Sequence, residues 1–222
     1  MRELSQLIDR HESAWPMVQT WVNKATVSVE ILPADRAYCD EALISTQVTT
    51  RSPMGSIMHN TAGIFIDNGW LRVLGAGGNP RFQRSLPVWN QGRSENFLLV
   101  ADDAIGGFFA MNGGAFGEDL GNVYYFSPDS LEWESCNFGY SQFVEWSMSE
   151  HICEFYETFR WKNWESEVRQ LTGDQAISIY PFLWAEGPPI EKRHRGTIPV
   201  SEQYALQFDL RRQLSEPKNT HV

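Results

Sequence analysis

Histidine and cysteine are scarce in this chain of 222 residues, which contains five histidines and three cysteines. The histidines show neither the HxH nor the HExxH spacing of a dedicated zinc or iron site. They are His11, His59, His151, His194 and His221. The sequence therefore predicts no metal site, and no motif in it predicts another cofactor.

The three cysteines, Cys39, Cys136 and Cys153, are odd in number and far apart in the sequence. This usage favours buried thiols in a reducing compartment over a disulfide or zinc framework. Catalytic triads assemble across distance, so Cys136 or Cys153 beside His59 or His151 stays an alternative. Because free cysteine is so often buried, a structural role for each is the better interpretation.

Long hydrophobic runs are also absent, since no apolar run approaches the roughly 18 residues that a membrane span needs. The first residues, MRELSQLIDR, carry charges where a signal peptide would have its apolar segment. We therefore expect no membrane association, no export by the signal-peptide route and a cytoplasmic location.

Positive charge is deficient, because 18 lysines and arginines face 28 acidic residues and give a net charge of −10. The deficit lies in residues 111–170, which hold 11 acidic and 3 basic side chains. Such a field repels phosphate backbones and attracts basic proteins, so we expect no nucleic-acid partner and consider a basic protein partner. The alternative is a solvated acidic face that only keeps the protein soluble.

The length and composition predict a single globular domain. Hydrophobic residues make up 42% of the chain and aromatic residues 13%, far from the composition of disordered proteins. We expect one domain over residues 1–215 and a disordered tail over residues 216–222. Nine tryptophans are many for this length, and we expect most of them to pack in or near the core.

The densest set of strand signals lies in residues 61–146. Residues 63–67 and 70–74 are apolar runs separated by Asn68-Gly69, the dipeptide that suits a type I′ hairpin turn. Turn-forming residues bound each of the further apolar runs. These runs predict strands at residues 97–101, 105–111, 122–126 and 131–136.

Apolar side chains at three- and four-residue spacing predict helices near both ends of the chain. They fall within residues 4–22, 35–43, 143–168 and 203–211, where the last segment has a strand as its alternative. Flanking strands are predicted at residues 27–31 and 176–184, and a mobile basic loop at residues 192–196. The predicted fold class is α+β, a mostly antiparallel β-sheet with N-terminal and C-terminal helices packed on it.

Two glycine-rich segments invite a functional interpretation. Residues 75–80 lack the Gly-Lys-Ser/Thr of a P-loop and do not open a helix, so a loop with positive φ is favoured over nucleotide binding. Residues 112–121 are interpreted as a long hairpin loop, whose acidic pair Glu118 and Asp119 lies where a sheet-edge loop can meet a ligand.

Asp102 and Asp103 form the most suggestive carboxylate pair, since adjacent acids at a strand end can act as acid and base or bind a cation. Neighbouring strand residues point to opposite faces, however, so the two carboxylates do not easily share a substrate. A turn in which aspartate binds its own loop backbone is favoured.

Several segments resemble the SUKH superfamily of the Smi1/Knr4 type. They are GIFIDNGWLRVLG, a loop with VWN, LLVADDAIGGFFAMNGG, GNVYYFSPDSLEW and the helix YSQFVEWSM. The matching residues are Gly69, Trp70, Asp102, Gly106, Gly107 and Trp133. The likeness covers residues 30–215, and the segments RWKNWE and GDQAISIYPFLW further resemble a bacterial family catalogued only as a domain of unknown function.

The resemblance implies a mixed α+β fold and no enzymatic activity, with the matching residues mostly holding the fold together. Many bacterial SUKH relatives are immunity proteins that neutralise secreted toxins, often nucleases. A basic toxin is therefore the partner that the resemblance implies.

Three functional hypotheses follow. The first is a non-enzymatic protein-binding module whose acidic face receives a basic partner. Its candidate residues are Glu118, Asp119, Glu132 and Glu134. The second is a small hydrolase that uses Asp102 or Asp103 in a cleft between the sheet and the C-terminal helices. The third is a structural or self-associating protein that uses exposed tryptophan.

Overall fold

The fold is built on a seven-stranded antiparallel sheet, seen in a computed structural model that describes residues 1–93 and 95–215. Every strand pairs with the next strand along the chain, so the spatial order equals the sequence order. The strands are β1 (Val29–Leu32), β2 (Gly63–Ile66), β3 (Leu71–Leu74), β4 (Phe97–Asp103), β5 (Phe108–Asn112), β6 (Asn122–Phe126) and β7 (Trp133–Gly139). The tail predicted at residues 216–222 lies outside the described residues.

Helices precede, interrupt and follow this sheet, and a separate two-stranded sheet lies near the C-terminal end. The helices are α1 (Leu4–Leu7), α2 (Trp15–Lys24), α3 (Arg36–Thr46), α4 (Pro53–Asn60), α5 (Leu86–Asn90), α6 (Tyr140–Ser147), α7 (His151–Phe155), α8 (Trp164–Val168) and α9 (Val200–Ser215). The small sheet pairs β8 (Gln175–Tyr180) with β9 (His194–Pro199). The predicted α+β class, with a mostly antiparallel sheet and helices at both ends, is confirmed.

The hairpin between β2 and β3 forms where the turn chemistry requires it. Asn68 and Gly69 have φ values of 61° and 84°, which the type I′ prediction demands of its two central residues. The backbone N–H of Trp70 closes the turn on the carbonyl of Asp67 at 3.0 Å. Each strand ends one residue further from the turn than predicted, at Ile66 and Leu71.

The sheet is buried on both faces by aromatic side chains. On one face Phe109 contacts Phe143 of α6, with ring centroids 4.8 Å apart. On the other face Phe126 stacks on Phe208 of α9 at 4.6 Å, and Phe108 meets Tyr204 at 5.0 Å. Burial of one phenylalanine side chain contributes about 1.5–3 kcal/mol, so these layers are a main source of stability.

Tryptophan packs as the composition predicts. Trp21, Trp70, Trp89, Trp161 and Trp164 are buried, and Trp15, Trp133, Trp146 and Trp184 are half-buried. None of the nine is fully exposed, so the structure gives little support to a self-associating surface built on exposed tryptophan.

Two short helices were absent from the sequence prediction, which named no element at residues 53–60 and placed VWN in a loop. In α4 the hydroxyl of Ser52 accepts the backbone N–H of Gly55 at 3.1 Å, and Pro53 opens the helix. In α5 Ser85 caps the helix in the same way through Val88. Both are Ser-capped helices with an early proline, a start signal that competes with the turn interpretation.

The C-terminal predictions need two corrections. The strand expected over residues 176–184 ends at Tyr180, because Pro181 has no N–H for the ladder. The mobile basic loop expected at residues 192–196 is wrong, since His194 begins β9 and pairs with Tyr180. The helix preferred over a strand at residues 203–211 is confirmed as part of α9. No helix in residues 1–93 or 95–215 is long and apolar enough to cross a membrane.

Candidate functional site

Asp102 lies in a buried ion cluster. The β3–β4 register places it directly opposite Arg72, and the two charged groups are 2.6 Å apart. Arg84 approaches the other carboxylate oxygen at 2.5 Å, and its guanidinium also donates to the Gly173 carbonyl at 2.6 Å. Asp102 has no exposed surface. Its carboxylate therefore ties β3, the connection before α5 and the segment before β8 together.

Asp103 points to the opposite face of the sheet, as strand geometry requires. It accepts the backbone N–H groups of Ile105 at 3.0 Å and Gly107 at 2.7 Å, which confirms the predicted turn role. The hydroxyls of Tyr125 and Tyr156 donate to its second oxygen at 2.8 and 3.1 Å. Complete burial raises the pKa of Asp103 above its ordinary value, against the effect of these hydrogen bonds.

The aspartate pair gives little support to the hydrolase hypothesis. Asp102 and Asp103 are both fully buried, and they lie on opposite faces of β4. A general acid or base must come within hydrogen-bond reach of its substrate, and these carboxylates are already engaged with protein groups. Their arrangement is that of structural residues.

The other residues matched to the SUKH motif are also structural. A Cβ on Gly107 would lie 2.1 Å from the Asp103 carboxylate, and Gly106, at a φ of 90°, packs against Gln203 of α9. Trp70 is fully buried and meets Trp164 edge to face at 5.0 Å. The remaining two, Gly69 in the hairpin turn and Trp133 against Phe126, likewise serve turn and core.

The four predicted partner-binding residues divide into two pairs on separate elements. Glu118 and Asp119 lie in the loop between β5 and β6. Glu134 is exposed on β7, and Glu132 is exposed directly before that strand. Arg211 of α9 pairs with Glu132 at 3.0 Å. Glu118 and Glu134 are exposed and have the fewest competing contacts of the four, so they are the best placed to receive a partner.

Asp119 is engaged within its own loop. Its carboxylate accepts hydrogen bonds from Asn112 at 2.9 Å, Asn122 at 3.1 Å and the Tyr124 hydroxyl at 2.9 Å. Desolvation opposes ionisation, but these hydrogen bonds outweigh it and lower the pKa of Asp119. The residue organises the loop that presents Glu118.

A cleft opens beside Glu134, at the edge of the sheet. This β7 cleft has a volume of about 200 Å³. Its lining residues are Tyr125, Glu134, Ser135, Cys136, Phe138, Trp146 and Phe155. Trp146 of α6 stands perpendicular to Phe155 of α7, with ring centroids 5.3 Å apart, and Phe138 lies 5.6 Å from Trp146. Two aromatic walls and one carboxylate thus meet at an open strand edge.

The helices that supply these walls carry further negative charge. Glu145 lies next to Trp146 on α6, and Glu154 lies next to Phe155 on α7. Glu145, Glu150, Glu154 and Glu157 are all exposed, as predicted. None of the residues lining the β7 cleft is basic. Acidic residues of segment 111–170 therefore lie around the aromatic β7 cleft.

The structure corrects one prediction about the cysteines, the burial of Cys153. Cys39 is buried as expected and Cys136 is half-buried, but Cys153 is exposed, so its predicted burial is wrong. Burial and the neighbouring Glu134 raise the pKa of the Cys136 thiol to about 12, which disfavours the thiolate that a nucleophile needs. In residues 1–93 and 95–215 no three His, Cys, Asp or Glu residues cluster as metal ligands do.

Sequence reasoning missed the arginines that neutralise Asp102. Arg84 lies in a polar stretch of the sequence, yet it is only 8% exposed. A usable signal was Arg72, a charged residue inside the apolar run Leu71–Leu74, since a buried charge requires a partner. The β7 cleft was missed because its lining comes from four different elements, β6, β7, α6 and α7.

These features define an α+β protein whose antiparallel sheet ends in an exposed acidic edge strand beside an aromatic cleft. The chain belongs to the family described as protein of unknown function DUF2625, whose model matches residues 4–203. The predicted likeness to a bacterial family of unknown function agrees with this membership.

Two relatives match over almost their whole length. The chain is 43% identical over 215 residues to the uncharacterized protein YbfG of Escherichia coli (strain K12), covering 95% of this chain and 98% of that protein. It is 36% identical over 216 residues to an uncharacterized protein of Haemophilus influenzae (strain ATCC 51907 / DSM 11121 / KW20 / Rd), covering 94% of each. No solved structure matches the chain.

Proposed function

We propose that this protein is a non-enzymatic, SUKH-like protein-binding module that receives a basic partner at β7 and the β7 cleft. The observation that carries the proposal is the open edge of β7. Within the described sheet this strand has β6 on one side and no strand on the other. Unpaired edge groups are a template for an added strand from a partner.

The β7 cleft supports a basic side chain as the feature recognised. Aromatic faces attract lysine and arginine cations, most strongly when the cation is partly desolvated. Glu134 at the cleft adds a carboxylate that can form a charge-assisted hydrogen bond. An extended basic segment would pair its backbone with β7 and place one side chain in the cleft, against Trp146 and Phe155.

We further propose that the partner is a basic toxin and that the protein acts as its immunity protein. Support comes from the SUKH resemblance and from the 11 acidic and 3 basic side chains of residues 111–170. Nuclease toxins are basic where they contact phosphate, so an acidic surface complements them and speeds association.

The test mixes the protein with the proteins encoded by its neighbouring genes and follows binding by calorimetry. We expect one basic partner, with an affinity that falls as salt rises from about 50 to about 500 mM. Trp146→Ala and Glu134→Gln weaken that binding, whereas Glu41→Gln on α3, an exposed carboxylate of another element, leaves it unchanged. Salt-independent binding, or equal affinity for all three variants, contradicts the proposal.

A further inference from the structure

A second cavity lies at the opposite edge of the sheet, beside β1. It has a volume of about 360 Å³ and separates the β2–β3 hairpin from the end of α8. We name it the arginine cavity after Arg72, Arg81 and Arg169, which line it together with Glu30. Its apolar lining comes from Phe65, Val168 and Leu171, all of them buried.

The arginine cavity has the opposite sign of charge to the protein as a whole. Three guanidinium groups and one carboxylate line it, although the whole chain has a net charge of −10. A cleft with low-dielectric walls concentrates the field of its own lining charges, so the distant acidic face does not cancel it. An anion is the ligand that this lining favours.

Two of the three arginines, Arg169 and Arg81, retain capacity to bind a ligand. The described hydrogen-bond partner of Arg169 is the neutral amide oxygen of Asn68, with its Nε at 3.0 Å, so its charge is not balanced there. Arg81 pairs with Glu30 at 2.5 Å, and both side chains are about half exposed. Such an exposed pair is weak and exchanges readily for a ligand.

Arg72 has a structural role in the cavity wall. Its side chain is 1% exposed and is held by Asp102, which fixes the guanidinium in place. Its Nε is nevertheless buried without a hydrogen-bond partner among the described residues. Because this Nε is closed to solvent and Asp102 balances the charge of Arg72, the groups that can donate to a ligand are those of Arg81 and Arg169.

We propose that the arginine cavity binds a small phosphate monoester. A phosphate monoester carries about −1.5 to −2 charge at pH 7, which the two accessible guanidinium groups of Arg169 and Arg81 complement when Arg81 exchanges Glu30 for the ligand. Its oxygens accept from Arg169 and Arg81. Its organic group lies against Val168 and Leu171, and the cavity has the size of a small-metabolite site.

The experiment measures binding of three probes by calorimetry to the full chain: phenyl phosphate, inorganic phosphate and benzoate. We expect phenyl phosphate to bind with a dissociation constant of about 1 mM or below. Inorganic phosphate lacks the apolar group and benzoate lacks the second charge, so each should bind at least about tenfold more weakly. Equal binding of benzoate overturns the phosphate assignment, and no saturable phenyl phosphate binding overturns the site.

Three variants distinguish a specific phosphate site from nonspecific attraction to positive charge, because they are expected to weaken, strengthen and leave unchanged the binding of phenyl phosphate. Arg169→Gln weakens phenyl phosphate binding about tenfold, because a charge-assisted hydrogen bond is lost. Glu30→Gln strengthens it about two- to fivefold, because Arg81 loses its competing carboxylate. Arg51→Gln, whose partners Asp9 and Glu12 lie elsewhere, changes nothing.

All three substituted side chains are exposed, so thermal unfolding should match the wild type and exclude misfolding. Equal effects of Arg169→Gln and Arg51→Gln, or weakening by Glu30→Gln, contradict the proposal. Trp146→Ala leaves phosphate binding unchanged, so failure at either site says nothing about the other.

Discussion

Arg72 and Asp102 face each other across the β3–β4 ladder, with their charged groups 2.6 Å apart and almost no contact with solvent. Burying two charges costs more solvation than their attraction alone returns, so such a pair requires further hydrogen bonds. Arg72 donates such hydrogen bonds to the backbone carbonyls of Asp103 and Gln175. The pair therefore fixes the position of the β8 segment against the sheet.

Asp102→Ala should lower the free energy of unfolding by about 3–5 kcal/mol, because it leaves the buried charges of Arg72 and Arg84 without their carboxylate. Urea denaturation monitored by tryptophan fluorescence measures this loss. The control is Asp35→Ala, which removes an exposed carboxylate whose side chain does not cap α3. A loss for Asp102→Ala no larger than that of the control would show that the cluster is not buried.

Asp103 should give the protein a pH dependence of stability that Asp103→Asn removes. Burial raises the pKa of Asp103 in the folded state above 3.8, so the unfolded chain releases this proton first as the pH rises. Wild-type stability relative to Asp103→Asn should therefore fall, by up to about 1.4 kcal/mol per pH unit, above pH 3.8 until the raised pKa is passed.

The measurement is urea denaturation of both proteins at several pH values between about 4 and 8, where the unfolded carboxyl titrates and ionises. Subtracting the unfolding free energy of Asp103→Asn from that of the wild type cancels the contributions of the other titrating groups, which both proteins share. If the stability of the wild type relative to Asp103→Asn instead rose with pH, the four hydrogen bonds that Asp103 accepts would outweigh its burial and lower its pKa.

Gly107→Ala should destabilise the protein by about 1–3 kcal/mol, the usual cost of an overpacked site. The new Cβ would lie 2.1 Å from the Asp103 carboxylate and 2.3 Å from the Tyr125 hydroxyl. Thermal unfolding compares it with Gly196→Ala in β9, where a Cβ meets nothing within 4 Å and the change should stay within about 0.5 kcal/mol. Equal melting temperatures for the two variants would contradict the packing around Asp103.

Cys153 should be the first cysteine to react with iodoacetamide in the folded protein, because it is exposed. Burial raises the pKa of Cys39, and it raises the pKa of Cys136 to about 12, so both should react only after unfolding. Peptide mass spectrometry locates the label, and Cys153→Ser should abolish the rapid phase. Rapid labelling of Cys136 in native protein would contradict its burial.

Local chemistry explains which parts of the fold were predictable. The β2–β3 turn depends on Asn68 and Gly69 alone, and the period-two and period-3.6 patterns determine strands and long helices within one segment. The helices α4 and α5 are only 8 and 5 residues long, too short for a clear period. Their caps were the remaining signal.

Long-range pairing explains what could not be predicted. Arg84 lies in a polar sequence and becomes buried only because Asp102 and Gly173 meet it in the folded chain. His194–Pro199 is rich in basic and small residues and becomes a strand only because β8 supplies its partner. Of the candidate site, the acidic residues were visible in the sequence, whereas the pairing of Trp146 with Phe155 and Glu134 required the packing of α6 and α7 on β7.

The sequential strand order has a consequence for how the protein is made. Each strand of the large sheet pairs with its immediate predecessor, so the sheet can grow from its N-terminal end while the ribosome is still adding residues. The Asp102 cluster is different, because Arg84 and Arg72 also bind the carbonyls of Gly173 and Gln175. A nascent chain that stops short of residue 173 therefore contains all seven strands of the large sheet, but Arg72 and Arg84 still lack the carbonyl groups of Gln175 and Gly173. Synthesis of the last part of the chain supplies these hydrogen bonds and completes the buried ion cluster.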